Sequence, residues 1–202
     1  MTLTSRIARR LFRWPPERVF SRHDFMDLGT TDAIGMALMR LNRRGAIRRV
    51  RRGYFDRPRT DPLLGEIFPS PTELLSAIAR RNGMRFQQGP ATAANALGMS
   101  DQVPMRVVYE TDAPSRTLPW GPKSSIRLIH RSPRDMARAG QLSGLLFAAL
   151  RSLGKGHVTD RDLSRLQQEL KPEHRRQLLR DLPFAPAWMH PFLRKLGEGT
   201  AS

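Results

Sequence analysis

Cysteine is absent from the 202 residues. That excludes disulfides, thiolate metal sites and cysteine nucleophiles, and it fits a reducing cytoplasm, the compartment we expect. No run approaches the roughly eighteen apolar residues that cross a bilayer, so no membrane partner is expected. Acids are scarce: 18 Asp and Glu face 35 Lys and Arg, leaving a formal net charge of +17 and a pI near 11.7. Such a field favours polyanions, either nucleic acid or an anionic membrane surface. Lysine is missing from residues 1–60, which hold 15 arginines against 5 acids, a balance of +10; the other 142 residues carry +7. Guanidinium forks suit phosphates and guanine edges better than ammonium groups do. P-loop, HExxH, GxGxxG and GxSxG patterns are all missing. What is present suffices for a core: 39% hydrophobic residues, with nine Phe and three Trp. The length suits one ordinary domain or two small ones.

The chain is organised around Thr30 to Asp56. Ile34, Ala37, Leu38 and Leu41 recur at i, i+3, i+4 and i+7, the spacing of one buried helix face. Thr30 or Thr31 can cap that helix, and Gly45 stands where its end wants positive φ. Ile47 to Phe55 reads as two short strands around Arg51-Arg52-Gly53, with Gly53 in the turn. Just upstream, Ser21 and Asp24 have capping-box spacing for a helix over Arg22–Leu28. Phe20 and Phe25 have the spacing of a hydrophobic staple, and Gly29 breaks the chain before the second helix. Helix, turn, helix and an arginine-studded hairpin are the outline of a winged helix-turn-helix, with the helix in a DNA groove and the hairpin along the phosphates.

Thr4 to Phe12 reads as an amphipathic first helix, with Leu3, Ile7 and Leu11 on one face. Its arginines, and the lack of an acid before Glu17, also match an interfacial membrane helix or an organellar transit peptide. The packed-looking domain that follows at once favours the first reading. Arg57 to Pro62 has the composition of a linker, and Leu63 to Phe68 has no assignment. Ser70-Pro71-Thr72-Glu73 starts a helix that runs to about Arg81 and ends at Asn82-Gly83, where Arg80 and Arg81 suit the helix dipole. Ala91–Leu97 reads as a helix closed by Gly98, Met105–Tyr109 as a strand, Arg116–Leu118 as its antiparallel return, and Ser125–His130 as a further strand. From Ser132 the pattern is helical: one start at Ser132-Pro133-Arg134-Asp135, then Leu142–Leu153, Asp160–Leu170 capped by Thr159, Glu173–Leu182 opened by Pro172, and Ala185–Leu196. The tail from Gly197 reads as frayed. The fold class expected is α+β: a winged helix-turn-helix domain over residues 1–60, then over 61–202 a mixed α/β domain with a C-terminal helical pack.

Three stretches carry a resemblance: RGAIRRVRRGYFDRP at 44–58, GPATAANALGMSDQVPMRVVYETDAPSR at 89–116, and SIRLIHRSP at 125–133. Together they resemble the AbiEi-like antitoxin family, over roughly Leu11 to Leu196; Asp101 departs from its pattern, which expects threonine or a similar polar residue. The resemblance implies a transcriptional regulator of a type IV toxin–antitoxin, or abortive-infection, system in a bacterium. The N-terminal domain would bind and repress its own promoter, and the C-terminal domain would counter a nucleotidyltransferase-like toxin without the need for a stable complex. Winged repressors often bind paired half-sites, which leaves room for a dimer or cooperative binding on DNA.

The residues expected to contact double-stranded DNA are Thr30 and Thr31 at the helix start, Arg40, Arg43 and Arg44 at its end, and Arg48, Arg49, Arg51, Arg52 and Tyr54 in the hairpin. The first half of that helix offers few base-reading groups: besides the threonines, only Asp32, Gly35, Met36 and Met39. No cofactor, metal site or catalytic residue is expected. Glu110, Asp112, Lys123 and His130 lie around strand ends and form the one nuclease-like set, but an ordinary turn at Asp112 and a polar strand residue at His130 explain them better. The Trp120-Gly121-Pro122 and Trp188-Met189-His190 clusters read as packing anchors. An RNA-binding module, a nucleic-acid enzyme and a membrane-surface protein are the competing function classes.

Overall fold

Thr2 opens the first helix, its hydroxyl accepting from the Ser5 amide at 3.2 Å and satisfying one of the free donors of α1 (Leu3–Phe12). The computed structural model describes residues 1–63, 65–102, 105–121 and 124–198. Its class is α+β, in two compact units: Met1–Met84 with Pro119–Ser125, and Arg85–Leu118 with the residues from Ile126 on. No helix among the described residues is long and apolar enough to cross a membrane.

In the first unit, α1 buries Ile7 and Leu11. β1 (Phe20–Ser21) leads into a single 3₁₀ turn, Arg22–Phe25, with both hydrogen bonds of the Ser21/Asp24 capping box in place. Phe20 and Phe25 meet edge to face with ring centroids 5.8 Å apart. The helix expected over Arg22–Leu28 is therefore only one turn long. Past Phe25 only the half-buried Leu28 reaches the core: Met26 faces solvent, and Asp27 is drawn to Arg10 by hydrogen bonds of 2.6 Å.

α2 (Thr31–Arg43) starts at Thr30, whose hydroxyl accepts from the Ala33 amide. Its inward face, Ile34, Ala37, Leu38 and Leu41, packs into a core with Ile7, Leu11, Phe20, Phe25 and Ile47. A Schellman closure ends it: Gly45, at φ +71°, donates to the Asn42 carbonyl, and Ala46 donates to that of Leu41. β2 (Arg48–Arg51) and β3 (Tyr54–Asp56) form a hairpin turning at Gly53, with φ +81° there and a register shift between Arg49 and Arg51. β1 pairs with β3, giving the sheet order β1-β3-β2.

The stretch expected to be a linker instead holds β4 (Arg59–Asp61), paired antiparallel with β5 (Gly65–Ile67). Pro58 and Pro62 bracket β4 rather than interrupt it, so neither removes a ladder donor. Leu64, within the stretch left unassigned, lies outside the described residues. α3 (Pro71–Asn82) follows, with Ser70 accepting from the Glu73 amide. Arg80 on α3 donates to the Val19 carbonyl at 2.6 Å and to Asp24 Oδ1 at 3.1 Å, and Arg48 donates to the Ile67 carbonyl at 2.8 Å. Such bonds keep residues 61–84 with the first unit, whereas the sequence places a boundary at residue 60.

The second unit begins with β6 (Phe86–Gln88), α4 (Pro90–Ala96), β7 (Val107–Thr111), β8 (Arg116–Trp120) and β9 (Ser124–His130). The sheet order is β6-β7-β9-β8, with β7 and β9 parallel from Val107↔Ile126 to Thr111↔His130. Arg116–Leu118 therefore does not return against β7, as expected, but lies beyond β9. Burial explains the order: β9 buries Ile126 and Leu128 and takes an inner position, whereas β8 buries only Leu118 and goes to the edge. α5 (Leu142–Leu153), α6 (Asp160–Glu169), α7 (Pro172–Asp181) and α8 (His190–Glu198) make the helical pack around Leu146, Phe147, Leu163, Leu166, Leu178 and Leu193. Residues 133–140 form hydrogen-bonded turns rather than the helix expected after Ser132, because Met136 is the sole fully buried anchor there. Ala185–Leu196 is not one helix either. A 3₁₀ turn, Ala187–Met189, precedes α8, which restarts where Pro191 sits in a first turn and its missing amide costs nothing. Of the tail expected to be frayed, Gly197 and Glu198 still belong to α8 or its end, and 199–202 lie outside the described residues.

Candidate nucleic-acid interface

The outward face of α2 is one wall of a groove of about 910 Å³. Thr31, Asp32, Gly35, Met36, Met39, Asn42 and Arg43 line that wall; Arg49 and Phe55 from the β2–β3 hairpin, Arg52 and Gly53 from its turn, and Arg22 and Arg81 line the rest. The helix presents this face because its apolar stripe is used inward, leaving Met36 and Met39 52% and 49% exposed. At Gly35 a Cβ would meet no atom within 4 Å, so the wall is notched there.

Charge pairing sets some arginines of this unit apart from those in the groove. Arg10 is held by Asp27, Arg18 and Arg80 by Asp24, Arg48 by Asp56 and Glu66, and Arg59 lies 3.9 Å from Glu17. The five groove arginines, Arg22, Arg43, Arg49, Arg52 and Arg81, have no ion pair among the described residues, and Asp32 is the one acid in the lining. Five uncompensated guanidiniums around one groove attract a polyanion and offer several bidentate phosphate contacts. Arg81 is placed from two sides: its guanidinium carbon lies 5.7 Å from the centre of the Tyr54 ring, and a Cβ on Gly53 would come within 3.4 Å of its Nη1.

Of the residues expected from the sequence, the groove gathers Thr31, Arg43, Arg49 and Arg52. The others have different places. Thr30 is occupied as the cap of α2. Arg40 and Arg44 are exposed at the helix end, outside the groove lining. Arg48 is internal: it bonds Asp56 through Nε and Nη2, with its guanidinium carbon 4.4 Å from the centre of the Phe68 ring. Those bonds to Asp56, opposed by burial and helped by Glu66, hold the Arg48 pKa above its ordinary value. Arg51 is half-buried, and Tyr54 is buried with Arg81 over its ring.

Arg22 and Arg81 are the groove arginines not expected from the sequence to contact DNA. Arg22 sits beside the staple phenylalanines, and its exposure follows from the 3₁₀ turn that faces Phe25 inward. Arg81 looks like a simple helix-end cation in the sequence, and only the hairpin against which it packs gives it a second role.

The described members of the nuclease-like set each have hydrogen-bond partners within the fold. Glu110 is wholly buried (0% exposed) and accepts from Gln87 Nε2 at 2.8 Å, Arg131 Nε at 2.7 Å and Arg151 Nη2 at 2.8 Å. Asp112 accepts the Arg85 amide at 2.8 Å, and His130 Nδ1 lies 3.2 Å from the Ala113 carbonyl. Lys123 lies outside the described residues. Among those residues no group of three His, Asp or Glu is placed to hold a metal. Trp120 donates to the Pro69 carbonyl at 2.8 Å, and Trp188 packs edge to face on Phe192. Pro122 lies outside the described residues.

No curated protein matches the chain. A solved structure, that of the RV2827C protein from Mycobacterium tuberculosis, is similar at 20% identity and a TM-score of 0.43, covering 96% of this chain and 82% of that one. The model of a family of unknown function, DUF6088, matches residues 6–178, most of both units. The chain belongs to the DUF6088 family.

Proposed function

We propose that the first unit is a winged helix-turn-helix that binds double-stranded DNA, with α2 entering the major groove and the β2–β3 hairpin following the backbone. One observation carries this reading: five arginines without acidic partners border the outward face of one helix. A sugar–phosphate strand lying between helix and hairpin would meet those guanidiniums while the helix faced base edges. In this reading the chain represses its own promoter. It is also the antitoxin of a bacterial type IV toxin–antitoxin system, acting in the cytoplasm against a nucleotidyltransferase-like toxin. That second half is supported by the resemblance of residues 44–58, 89–116 and 125–133 to AbiEi-like antitoxins. Duplex RNA is the competing partner, but its major groove is too deep and narrow to admit a helix.

Fluorescence anisotropy across a salt series tests the proposal, using DNA upstream of the chain's own gene, a scrambled duplex and an RNA duplex. The upstream DNA should bind about 10³-fold more tightly than the scrambled duplex. Replacing Arg22, Arg43, Arg49, Arg52 and Arg81 by Ala should abolish that preference and flatten the salt slope by up to about 0.9 per lost phosphate contact. Equal binding of both DNAs with tighter binding of RNA would replace the regulator by an RNA-binding module.

A further inference from the structure

Before Arg40, α2 carries no amide side chain and no cation. What its groove face offers in that length is Thr31, Asp32, the notch at Gly35 and the half-exposed thioethers of Met36 and Met39. The guanidiniums that could bind phosphate are displaced to the hairpin, to Arg22, to Arg81 and to the far end of the helix at Arg43. So the middle of the wall, Gly35, Met36 and Met39, is apolar, with Thr31 and Asp32 at one end and Asn42 at the other, and the positive charge surrounds it. In the major groove only one base adds an apolar group to its edge: thymine, through its C5-methyl. Methionine is suited to such a contact, being unbranched, polarizable and able to adjust its rotamers to a small methyl. Asp32 works in the same direction. Its carboxylate repels a phosphate at the start of the helix, which turns the backbone towards the arginines and leaves base edges opposite α2.

We infer that this helix recognises DNA through thymine methyl groups, with Met36 and Met39 packing against them over the notch at Gly35. The inference rests on the DNA-binding reading above and adds what that surface selects. It also gives a chemical basis for preferring DNA to RNA, since uracil lacks the methyl.

The test begins with selection of short random DNA duplexes on the full chain. The best duplex is then resynthesised with deoxyuridine replacing thymidine, one position at a time and throughout. Each replacement deletes one methyl and leaves the hydrogen-bonding edge intact. Replacement at the contacted positions should weaken binding about 4-fold per methyl, as burial of one such group predicts. The same replacements should leave the affinity of the Met36→Ala, Met39→Ala double variant unchanged. Both side chains are half exposed, so the variant should keep the wild-type circular dichroism and thermal midpoint. If the fully deoxyuridine duplex binds as tightly as its thymidine parent, the methyl inference is overturned and the DNA-binding reading stands. If no duplex is enriched and the five-arginine variant binds DNA like the wild type, the DNA-binding reading fails and takes the inference with it.

Discussion

Arg48 and Asp56 face each other across the β2–β3 hairpin, Arg48 Nε donating to Asp56 Oδ1 at 3.0 Å and Nη2 to Oδ2. Asp56 is 2% exposed, so this pair is part of the interior although its sequence neighbours are surface arginines. Removing one partner of a buried pair strands the other charge, so Arg48→Ala should cost about 3–5 kcal/mol of stability. Arg49→Ala and Arg52→Ala should each stay within about 0.5 kcal/mol. Urea unfolding of the three variants decides the matter, and equal losses would remove the distinction between them.

Arg80 and Arg81 are adjacent and should behave in opposite ways. Arg80 bonds Asp24 and the Val19 carbonyl, so Arg80→Ala should lower stability by about 1.5 kcal/mol or more and leave the salt dependence of the proposed DNA binding unchanged. Arg81→Ala should leave the unfolding midpoint nearly unmoved and reduce the salt slope by about 0.9. Binding isotherms at several salt concentrations, paired with urea curves, separate the two.

Gly35 sits within α2, and a Cβ there meets no atom within 4 Å. Gly35→Ala should therefore stabilise the protein by about 0.5–1 kcal/mol, through the lower entropy of the unfolded chain and better helix propensity. Gly35→Leu should keep the fold and weaken duplex binding by filling the notch. A fall in the thermal midpoint with Ala would show that the helix needs glycine at this point for another reason.

Acid should loosen the tie between α1 and the segment after Phe25. Hydrogen bonds from Arg10 hold the Asp27 carboxyl below its ordinary range. A depressed folded value contributes stability above the ordinary carboxylate range and loses it as pH falls through that depressed value. Asp27→Asn should thus lower the thermal midpoint slightly at neutral pH, and the difference from wild type should disappear in acid. A difference that persists unchanged into acid would assign the effect to packing instead.

Features that depend on neighbours in the chain were legible in the sequence. The Thr30 and Ser21 caps, the buried stripe of α2, the closure at Gly45 and the turn at Gly53 each arise within a few residues, and each is present. The misreadings concern short elements and pairings set by the assembled fold. β4 and β5 have three residues each, too few for a period to register. The parallel pairing of β7 with β9 depends on which strand buries more, a property of the assembled sheet. The arginines show the same limit: Arg48, Arg49, Arg51 and Arg52 look equivalent in sequence, yet Asp56 and Glu66 withdraw only the first.

The bond from Trp120 to the Pro69 carbonyl has a practical consequence for dissecting the protein. Residues 119–125 belong with the first unit although they follow more than thirty residues of the second. A gene fragment stopped at Met84 would leave the buried Pro69 without its indole donor, and deleting Trp120 would do the same from the other side. The arginine-lined unit is thus not a detachable cassette. Chimeras that exchange it with the corresponding unit of another protein should carry residues 119–125 as a second, separate insert.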